Sequence, residues 1–582
     1  MNKLSSGFAV LLIALLVVVT ASAQNSTRRT RMPQLSTAAL FSRAARQNRL
    51  GGIDLGKIQQ NEVRQEMMST LGSLGSALSS LPASSLSEGN SRQANADWNQ
   101  RPQDETTVAI NPLTNQWVIG ANDYGIGAPI GTGVYNSEGV NYFPPFALLA
   151  GTVGGNVVLT EPPIGTGDPA LAYGYTRDTH TPVVYMGSIG FSSTFCENGA
   201  FLYRSLDNGK SWTRPVVPPL APPNGLRTVS YWSPATDCSI VIDKDYLTVD
   251  NSGGPHDGRV YVTWTLFQFD SNGNYLRSPI VMAYSDDNGN TFSNPMEISG
   301  SSASLCPVPS PGGPANACNN DQFSSPVVLA DGTLVVGFEN GNPASAPEDQ
   351  YLTVRVNPDT FVVQGPSKVS DVFDGPNDYP INSDGRQTLC NSNFRVNSVG
   401  NIASGPGGVL YAVISDDRQH AGQFPFPTFV GTRQSGYACP NGLMTDVDVL
   451  LSKSSDGGFT WSTLVRVNQD PLADNKDQWF PWVAVNRQGR VGVVFYDRRR
   501  DAGNKIARTF LALSHDGGAH FRDFEVSRFG SNFDNAFFGG GNFIGDYNGM
   551  AVKPSGEFVP VWTGVSPGKM DSDIFFASVG KE

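Results

Sequence analysis

One eight-residue motif, Ser-x-Asp-x-Gly-x-x-aromatic, recurs four times in this chain of 582 residues. The residue types are those of a tight hairpin turn: the Asp side chain accepts backbone N–H groups, Gly supplies a positive φ, and the aromatic ring packs back on the sheet. Because the same unit is repeated along the chain, it predicts a repeat architecture before any single residue is interpreted. The four copies span Ser205–Trp212, Ser285–Phe292, Ser454–Trp461 and Ser514–Phe521.

Pairs of short apolar runs, each pair joined by Gly or Asn turns, accompany the motifs. Seven such pairs fall within residues 105–120, 168–186, 246–264, 325–338, 399–413, 482–495 and 549–562. Short β-rich runs separated by turn residues are typical of an all-β repeat fold. The second and third motifs are about twice as far apart as the first and second, so a unit with a decayed motif is predicted near residues 353–367.

The motifs resemble Asp boxes, also called BNR repeats, and the chain is similar to the Asp-box β-propellers of the sialidase superfamily. The resemblance implies an all-β fold class, a β-propeller of four-stranded antiparallel blades with Asp-box turns. The hairpins favour seven blades; the alternative is six, the number that the sialidases have. In that family the Asp box holds a turn together and performs no chemistry. The last hairpin is followed by one strand only, so a segment near residues 98–103 is expected to close the ring.

The chain divides into three regions. Residues 1–23 have the pattern of a secretory signal peptide, with Lys3, an apolar run and an Ala-Ser-Ala cleavage site ending at Ala23. Residues 24–103 are a low-complexity leader or spacer, expected to be mostly disordered, and residues 104–582 form the Asp-box propeller. Secretion to the extracellular or periplasmic space is expected after cleavage, with no membrane span because the apolar run is short.

The six cysteines suit an oxidising compartment and are expected to form disulfides. Their spacing resembles no zinc site, so no metal ligands are assigned and no cofactor is required. A structural Ca²⁺ would suit carboxylate-rich loops such as residues 371–384. The pairings expected are Cys306–Cys318, Cys196–Cys238 and Cys390–Cys439, each joining loops at one end of the blades.

The formal net charge of −12 makes nucleic acid and anionic membranes poor partners for the surface as a whole. An extracellular glycan or glycoprotein is the expected partner, and the oligomeric state is left open.

Charged residues recur where the innermost strand of each blade should begin and where the second strand should end. In the propellers that the chain resembles, both places belong to the end that binds ligands, opposite the Asp boxes. Carboxylates at loop starts commonly cap turns, which is the alternative reading of any single one. The strand starts carry Asp104, Glu105, Asp168, Asp245, Asp321, Arg395, Asp477, Asp546 and Tyr547.

A sialidase-type site, as the resemblance implies, needs three arginines that grip the substrate carboxylate, a Tyr nucleophile assisted by a Glu, and an Asp acid/base. The chain departs from the family because its Phe/Tyr-Arg-Ile-Pro signature is missing, and the nearest match, at residues 394–397, falls in the fifth unit. The candidates are Arg395, Arg418 and Arg498 for substrate binding, Tyr496 or Tyr547 as nucleophile, Glu105 as its partner, and Asp123 or Asp417 as the acid.

Two classes of function fit these residues. The first is an exported, sialidase-like, carbohydrate-active propeller: a glycoside hydrolase on extracellular glycans, or a hydrolase or lyase in which two carboxylates act on another carbohydrate. The second is a non-catalytic secreted propeller that binds a glycan or a protein. Convergence of the three arginines on a tyrosine would favour the enzyme, and separate ion pairs would favour the binding protein. Several aromatics are compatible with sugar stacking, and the alternative is that most of them pack between blades: Trp232, Trp264, Trp479, Trp482, Phe537 and Phe538.

Overall fold

The computed structural model describes residues 91–95, 102–124, 131–137, 165–191, 196–212, 231–233, 237–307, 310–311, 313–341, 348–375, 378–382, 386–424, 430, 437–538 and 541–580. Within these ranges the structure is an all-β propeller of seven antiparallel blades, as the hairpins predict, rather than the six-blade alternative. The strands are numbered β1 to β30 in chain order. Three 3-10 helices of three residues each are the helical part of these ranges: Pro406–Gly408, Pro440–Gly442 and Phe533–Asn535.

The first three blades follow one another along the chain, each running outward from its innermost strand. Blade 1 has three strands among the described residues, β2 (Gln103–Ile110), β3 (Trp117–Asp123) and β4 (Gly131–Asn136). Blade 2 has β5 (Gly165–Tyr175), β6 (Pro182–Phe191), β7 (Asn198–Ser205) and β8 (Tyr231–Ser233). Blade 3 has β9 (Ile240–Val249), β10 (Val260–Phe269), β12 (Ile280–Ser285) and β13 (Met296–Glu297), and a short β11 (Tyr275–Arg277) extends β10.

The next three blades repeat the same order. Blade 4 has β14 (Asp321–Val328), β15 (Leu334–Asn340), β16 (Asp349–Val356) and β17 (Val363–Val372). Blade 5 has β18 (Val399–Ser404), β19 (Leu410–Asp416), β20 (Asp448–Ser454) and β21 (Val465–Arg466). Blade 6 has β22 (Gln478–Val485), β23 (Val491–Asp497), β24 (Arg508–Ser514) and β25 (Arg522–Glu525).

Blade 7 combines the two ends of the chain. Its strands are β28 (Gly549–Val552), β29 (Phe558–Gly564), β30 (Asp573–Phe576) and, outermost, β1 (Arg92–Gln93), and a small hairpin of β26 (Phe537–Phe538) and β27 (Gly541–Asn542) precedes them. The side chain of Asn95 strengthens the closure, since its Nδ2 donates to Asp573 Oδ1 at 2.8 Å and its Oδ1 accepts from Ile574 N at 2.9 Å.

The expectation that residues near 98–103 close the ring is therefore wrong in its position. The closing strand lies upstream at Arg92–Gln93, and Gln103 already begins blade 1. A two-residue strand carries almost no alternation of apolar and polar residues, and the amide of Asn95 helps to fix its place. Of the proposed regions, residues 1–90, including the signal peptide, lie outside the described residues.

The apolar core lies between blades rather than in one central mass. Each blade is covered on both faces by its neighbours, so central strands are apolar along their length; all seven residues of Val491–Asp497 are buried. The innermost strands contact one another around the ring, and β28 of the last blade contacts β2 of the first. Among the described residues no helix is long and apolar enough to cross a membrane.

The four repeated motifs connect the third and fourth strands of blades 2, 3, 5 and 6. In the first copy, Ser205 Oγ accepts from Gly209 N at 2.8 Å and Asp207 Oδ1 accepts from Ser211 N at 2.8 Å. The Ser-to-Gly bond has the same length in the other three copies. The closing aromatic of each copy packs against the preceding blade, so these residues hold adjacent sheets together.

The fourth blade lacks the motif, as the spacing predicts. Its third and fourth strands are joined instead through Asn357, whose Oδ1 accepts from the backbone of Asp359 at 3.0 Å and Thr360 at 2.9 Å.

All three disulfides lie at the opposite end of the blades from the motif turns. The pairs are Cys196–Cys238, Cys306–Cys318 and Cys390–Cys439, as predicted. Each ties down loops that precede an innermost strand or follow a second strand. The disulfides therefore fix the loops around the end where the charged residues collect.

Candidate functional site

A bulge interrupts the pairing near the start of six innermost strands. In five of them the bulged residue is not glycine yet has a left-handed backbone: Glu105 (φ 54), Asp168 (φ 54), Lys244 (φ 48), Phe323 (φ 58) and Phe480 (φ 51). Such a conformation costs about 1–3 kcal/mol for a residue with a Cβ, and residues held in it cluster at functional sites. The three charged ones lie on consecutive blades, and they are the centre of the inner-strand cluster, defined as Glu105, Asp168, Lys244, Asp245 and Tyr547.

Glu105 and Asp168 are neighbouring buried carboxyl groups. Asn122 holds both, because its Nδ2 donates to Glu105 Oε2 at 2.5 Å and its Oδ1 accepts from Asp168 N at 2.8 Å. Burial raises the pKa of Glu105 well above its ordinary value, and the adjacent charge of Asp168 raises it further. Burial and the neighbouring carboxyl group therefore both favour the neutral form of Glu105.

Tyr547 and Lys244 lie against this pair. Lys244 Nζ is 3.0 Å from the centre of the Tyr547 ring, and the Lys244 backbone N–H donates to Asp168 Oδ2 at 3.3 Å. Burial, then the charges of Glu105 and Asp168, raise the pKa of Tyr547. Within the described residues, Lys244 Nζ, the Tyr547 hydroxyl and both carboxylate oxygens of Asp245 are buried without a hydrogen-bond partner. Several polar groups are thus gathered with free bonding capacity, which is unusual in a folded interior.

Arg395 and Asp546 form an ion pair next to the cluster. Arg395 Nε donates to Asp546 Oδ1 at 2.8 Å, and the guanidinium stacks on Phe543 at 4.4 Å. Both side chains are 6 % exposed, and the charge of Asp546 contributes to the raised pKa of Glu105. Of the three arginines in the sialidase-type hypothesis, Arg395 is the one placed beside Glu105.

The other two arginines pair with different carboxylates. Arg418 donates to both oxygens of Asp416 at 2.8 and 2.7 Å on the edge of blade 5. Arg498 Nη1 lies 3.2 Å from Asp477 Oδ2, is 1 % exposed and stacks on Trp479. Each arginine is thus engaged by its own carboxylate, the arrangement that the sequence analysis associated with ion pairs rather than with a shared grip.

The two candidate tyrosines have different surroundings. Tyr496 is fixed between blades 6 and 7, because its hydroxyl donates to Thr563 O at 2.8 Å and accepts from Thr563 N at 3.0 Å. Tyr547 lies beside Glu105, the residue proposed as its partner. The structure therefore brings together Tyr547 and Glu105 from the predicted set.

The candidate acids have other partners. Asp123 accepts from Gln103 Nε2 at 3.4 Å, and Gln103 in turn bonds Asn95 of the ring closure. Asp417 Oδ1 lies 3.0 Å from His420 Nδ1 in the loop after β19. The carboxyl next to Glu105 belongs to Asp168, which the repeat register had singled out without giving it a catalytic role.

Lys244 was missed by one residue. The repeat alignment placed Asp245 at the start of the third inner strand, whereas the backbone gives Lys244 the left-handed position that Glu105 and Asp168 occupy in blades 1 and 2. Aligning the residue pairs 104–105, 167–168 and 243–244 would have found it in the sequence.

Three of the six aromatics pack between blades, so sugar stacking is wrong for these three and the alternative is confirmed. Trp264, Trp479 and Trp482 are at most 6 % exposed, because the space between blades is filled by large rings. The side chains of Trp232, Phe537 and Phe538 are outside the described part of the structure.

Three buried carboxylates in blade 4 are the described residues that could hold a metal ion. Oxygens of Glu339, Asp349 and Asp374 lie within 4.8 Å of one another, and Asp374 belongs to the acidic 371–384 loop. Oxygen ligands of this kind suit a hard cation such as Ca²⁺. Acidic clusters are common without an ion, so this geometry alone does not assign one.

A second titrating pair makes stability depend on pH. Burial raises the pKa of Asp417 to about 7, and the hydrogen bond to Asp417 raises the pKa of His420. Both groups bind a proton more tightly in the folded than in the unfolded chain, so both stabilise at low pH and lose this contribution as the pH rises. Asp446 and Asp477 also face the pair.

We expect the free energy of unfolding to fall by about 2–3 kcal/mol between about pH 5 and about pH 8, mainly because Asp417 loses its proton over this range. Urea denaturation at a series of pH values measures it, and Asp417→Asn should flatten the slope. An unchanged slope in the variant would contradict the assignment.

Comparisons with known proteins do not assign the chain to a family. No protein-family model matches the chain, and no curated protein matches it either. Solved structures that resemble it include a protein of unknown function from Dyadobacter fermentans (9 % identity, TM-score 0.42, 85 % of this chain and 99 % of that one). An ulvan lyase of a polysaccharide lyase family is also similar (9 % identity, TM-score 0.36, 70 % of this chain and 79 % of that one). So is a Hadza microbial sialidase (12 % identity, TM-score 0.37, 82 % of this chain and 66 % of that one). Likeness this distant carries no argument about the chemistry of this chain.

Proposed function

We propose that this protein is an exported, sialidase-like glycoside hydrolase acting on extracellular glycans, with Tyr547, Glu105 and Asp168 as its reacting groups. The observation that supports the proposal is the grouping of the two carboxyl groups with Tyr547: Asn122 bonds both Glu105 and Asp168, and Lys244 contacts both Asp168 and the Tyr547 ring. One member of such a pair can give a proton while the other takes one, which is what cleavage of a glycosidic bond requires.

The proposed reaction has two displacements. Tyr547 Oη attacks the anomeric carbon and passes its proton to Asp168, while Glu105 gives its proton to the glycosidic oxygen, and the alcohol leaves. The oxygen of a water molecule then bonds to the anomeric carbon and gives a proton to Glu105, the bond from that carbon to Tyr547 Oη breaks, and Asp168 returns its proton to the phenol oxygen. Each group regains its starting state, and two inversions retain the anomeric configuration.

The charges favour a glycan other than a sialoside. Arg418 and Arg498 are held by Asp416 and Asp477, so a three-arginine grip on a sugar carboxylate is not assembled in this arrangement. Bidentate guanidinium contacts are the usual way to bind such a group.

Two observations favour the alternative, a non-catalytic propeller that binds a glycan or a protein. Arg395, Arg418 and Arg498 form separate ion pairs and do not converge on a tyrosine. The reacting groups are closely covered: Glu105 is 2 %, Asp168 3 % and Tyr547 3 % exposed. On this alternative the cluster joins blades 1, 2, 3 and 7, and the binding surface lies elsewhere on the disulfide-tied loops.

Release of 4-methylumbelliferone from a panel of fluorogenic glycosides, sialosides included, separates the two functions. We expect the wild type to turn over at least one glycoside and Glu105→Gln to lower its kcat by about 100-fold or more, the usual worth of a general acid. The matched control is Glu297→Gln, an exposed residue paired with Arg277, which should leave kcat unchanged. Equal turnover by Glu105→Gln and the wild type would overturn the proposed site.

A further inference from the structure

We propose that Lys244 is a positioning residue that stabilises the phenolate of Tyr547 through the face of its ring. This inference rests on the proposed function, in which Tyr547 gives up its phenol proton. It adds a residue to which the sequence analysis gave no role.

The backbone holds Lys244 in a left-handed conformation that is unfavourable for a residue with a Cβ. It has φ 48 at the bulge of β9, the position that Glu105 and Asp168 occupy in the two preceding blades. Lysine has no intrinsic preference for this conformation, and a glycine would adopt it freely. The bulge recurs in five blades with different residues, so the fold imposes this conformation, and in the third blade it is a lysine that the surrounding strands hold in it.

The Lys244 side chain makes one close contact, with the ring of Tyr547. Its Nζ is 3.0 Å from the centre of the Tyr547 ring and 5.2 Å from that of Tyr246. It is 5 % exposed, and Nζ has no hydrogen-bond partner among the described residues. An ammonium at this distance from a ring face is attracted by the π electrons, and more strongly once the ring carries a negative charge.

The other charges around Tyr547 act in the opposite direction. Glu105, Asp168 and Asp245 face it, and each negative charge among them disfavours a second one on the phenol oxygen. Asp546, which also faces Lys244, is neutralised by Arg395. Lys244 is in direct contact with the Tyr547 ring. Burial lowers the pKa of Lys244, whereas the surrounding carboxylates raise it and so favour the ammonium that offsets them.

This placement suits a nucleophilic tyrosine. Loss of the phenol proton to Asp168 leaves negative charge on the ring and converts a carboxylate to a neutral acid. The ammonium of Lys244 then lies next to the only new charge, in surroundings that screen it weakly.

Steady-state kinetics test the inference in the context of the reaction. On a glycoside that the wild type hydrolyses, Lys244→Met is expected to lower kcat by about 100-fold with little change in KM. Lys244→Arg, which keeps the charge, should recover part of the rate. A Lys244→Met variant with normal kcat would overturn the inference.

A spectroscopic titration tests the same contact without any turnover. A fluorinated tyrosine of lower phenol pKa is incorporated at position 547, and its phenolate absorbance is followed against pH with Lys244 and with Lys244→Met. We expect the variant to raise the pKa of this phenol by about one unit or more, a tenfold change in its ionisation constant. Circular dichroism confirms that both proteins are folded, and Lys505→Met is the matched control because Lys505 contacts Asp534.

The two experiments separate the two claims. If no glycoside is cleaved but the phenol pKa rises in Lys244→Met, the proposed function fails and the Lys244–Tyr547 coupling stands. If a glycoside is cleaved but the phenol pKa is the same with and without Lys244, the coupling is refuted and the function stands.

Discussion

Tyr547→Phe is expected to lower kcat by at least about 1,000-fold on any glycoside that the protein hydrolyses, because it removes the proposed nucleophile. The same variant should keep its stability, since the Tyr547 hydroxyl has no hydrogen-bond partner among the described residues. Loss of activity without loss of stability is the expected signature of a group retained for chemistry.

Tyr496→Phe is the matched control, and it should behave in the opposite way. Its hydroxyl makes two bonds to the backbone of Thr563, so its removal leaves a buried N–H and C=O without their partner. We expect a loss of about 1–3 kcal/mol in the free energy of unfolding and an unchanged kcat. Fluorogenic assays give kcat and urea denaturation gives the free energy of unfolding for both variants. An equal fall in kcat for the two variants would contradict the assignment of Tyr547 as the nucleophile.

Arg395→Met is expected to lower the free energy of unfolding by about 3–5 kcal/mol, the usual cost of removing one partner of a buried ion pair. The variant leaves Asp546 uncompensated at 6 % exposure, close to the carboxyl of Glu105. Because that carboxyl already lies next to Asp168, a further uncompensated charge is poorly tolerated there.

Guanidinium denaturation measures this loss, and two further variants locate its cause. Arg500→Met removes a guanidinium that is 65 % exposed and lies 3.9 Å from Glu525, and it should cost less than about 1 kcal/mol. The double variant Arg395→Met with Asp546→Leu should recover much of the loss, because the stranded charge is gone. A double variant as unstable as Arg395→Met alone would mean that packing, not charge, is responsible.

The fold could be predicted because its information is local. A Ser, an Asp and a Gly within five residues determine each turn, as the bonds from Gly209 and Ser211 show, and the aromatic that follows gives the spacing between sheets. Cysteine pairing followed from the same framework, since knowing which loops share an end of the blades leaves few partners for each residue.

The site could be predicted only in part, because it depends on single-residue register. A shift of one position in a strand turns every side chain to the other face, which is why Lys244 and Asp245 were exchanged. The bulges that decide the matter, with φ 54 at both Glu105 and Asp168, have no composition that marks them in the sequence.

The arginines show a second limit. Arg395, Arg418 and Arg498 were grouped by their places in the repeat, but the partner of each is set by carboxylates that arrive from elsewhere, as Asp546 reaches Arg395 across 151 residues. Position in a repeat predicts which end of the propeller a residue occupies, and it does not predict which opposite charge it will meet there.

The join between Arg92–Gln93 and the last strand also sets an order of assembly. Asn95 is synthesised 478 residues before its partner Asp573. Until the last strand is synthesised, the ring of blades is open and the sheet of its last blade is incomplete. The entropic cost of closing a loop grows only with the logarithm of its length. Unpaired strand edges, however, can pair with other chains before the ring closes. A chain that ends before Asp573 is therefore expected to lack the pairing of Arg92–Gln93 with the last strand, and its ring should stay open.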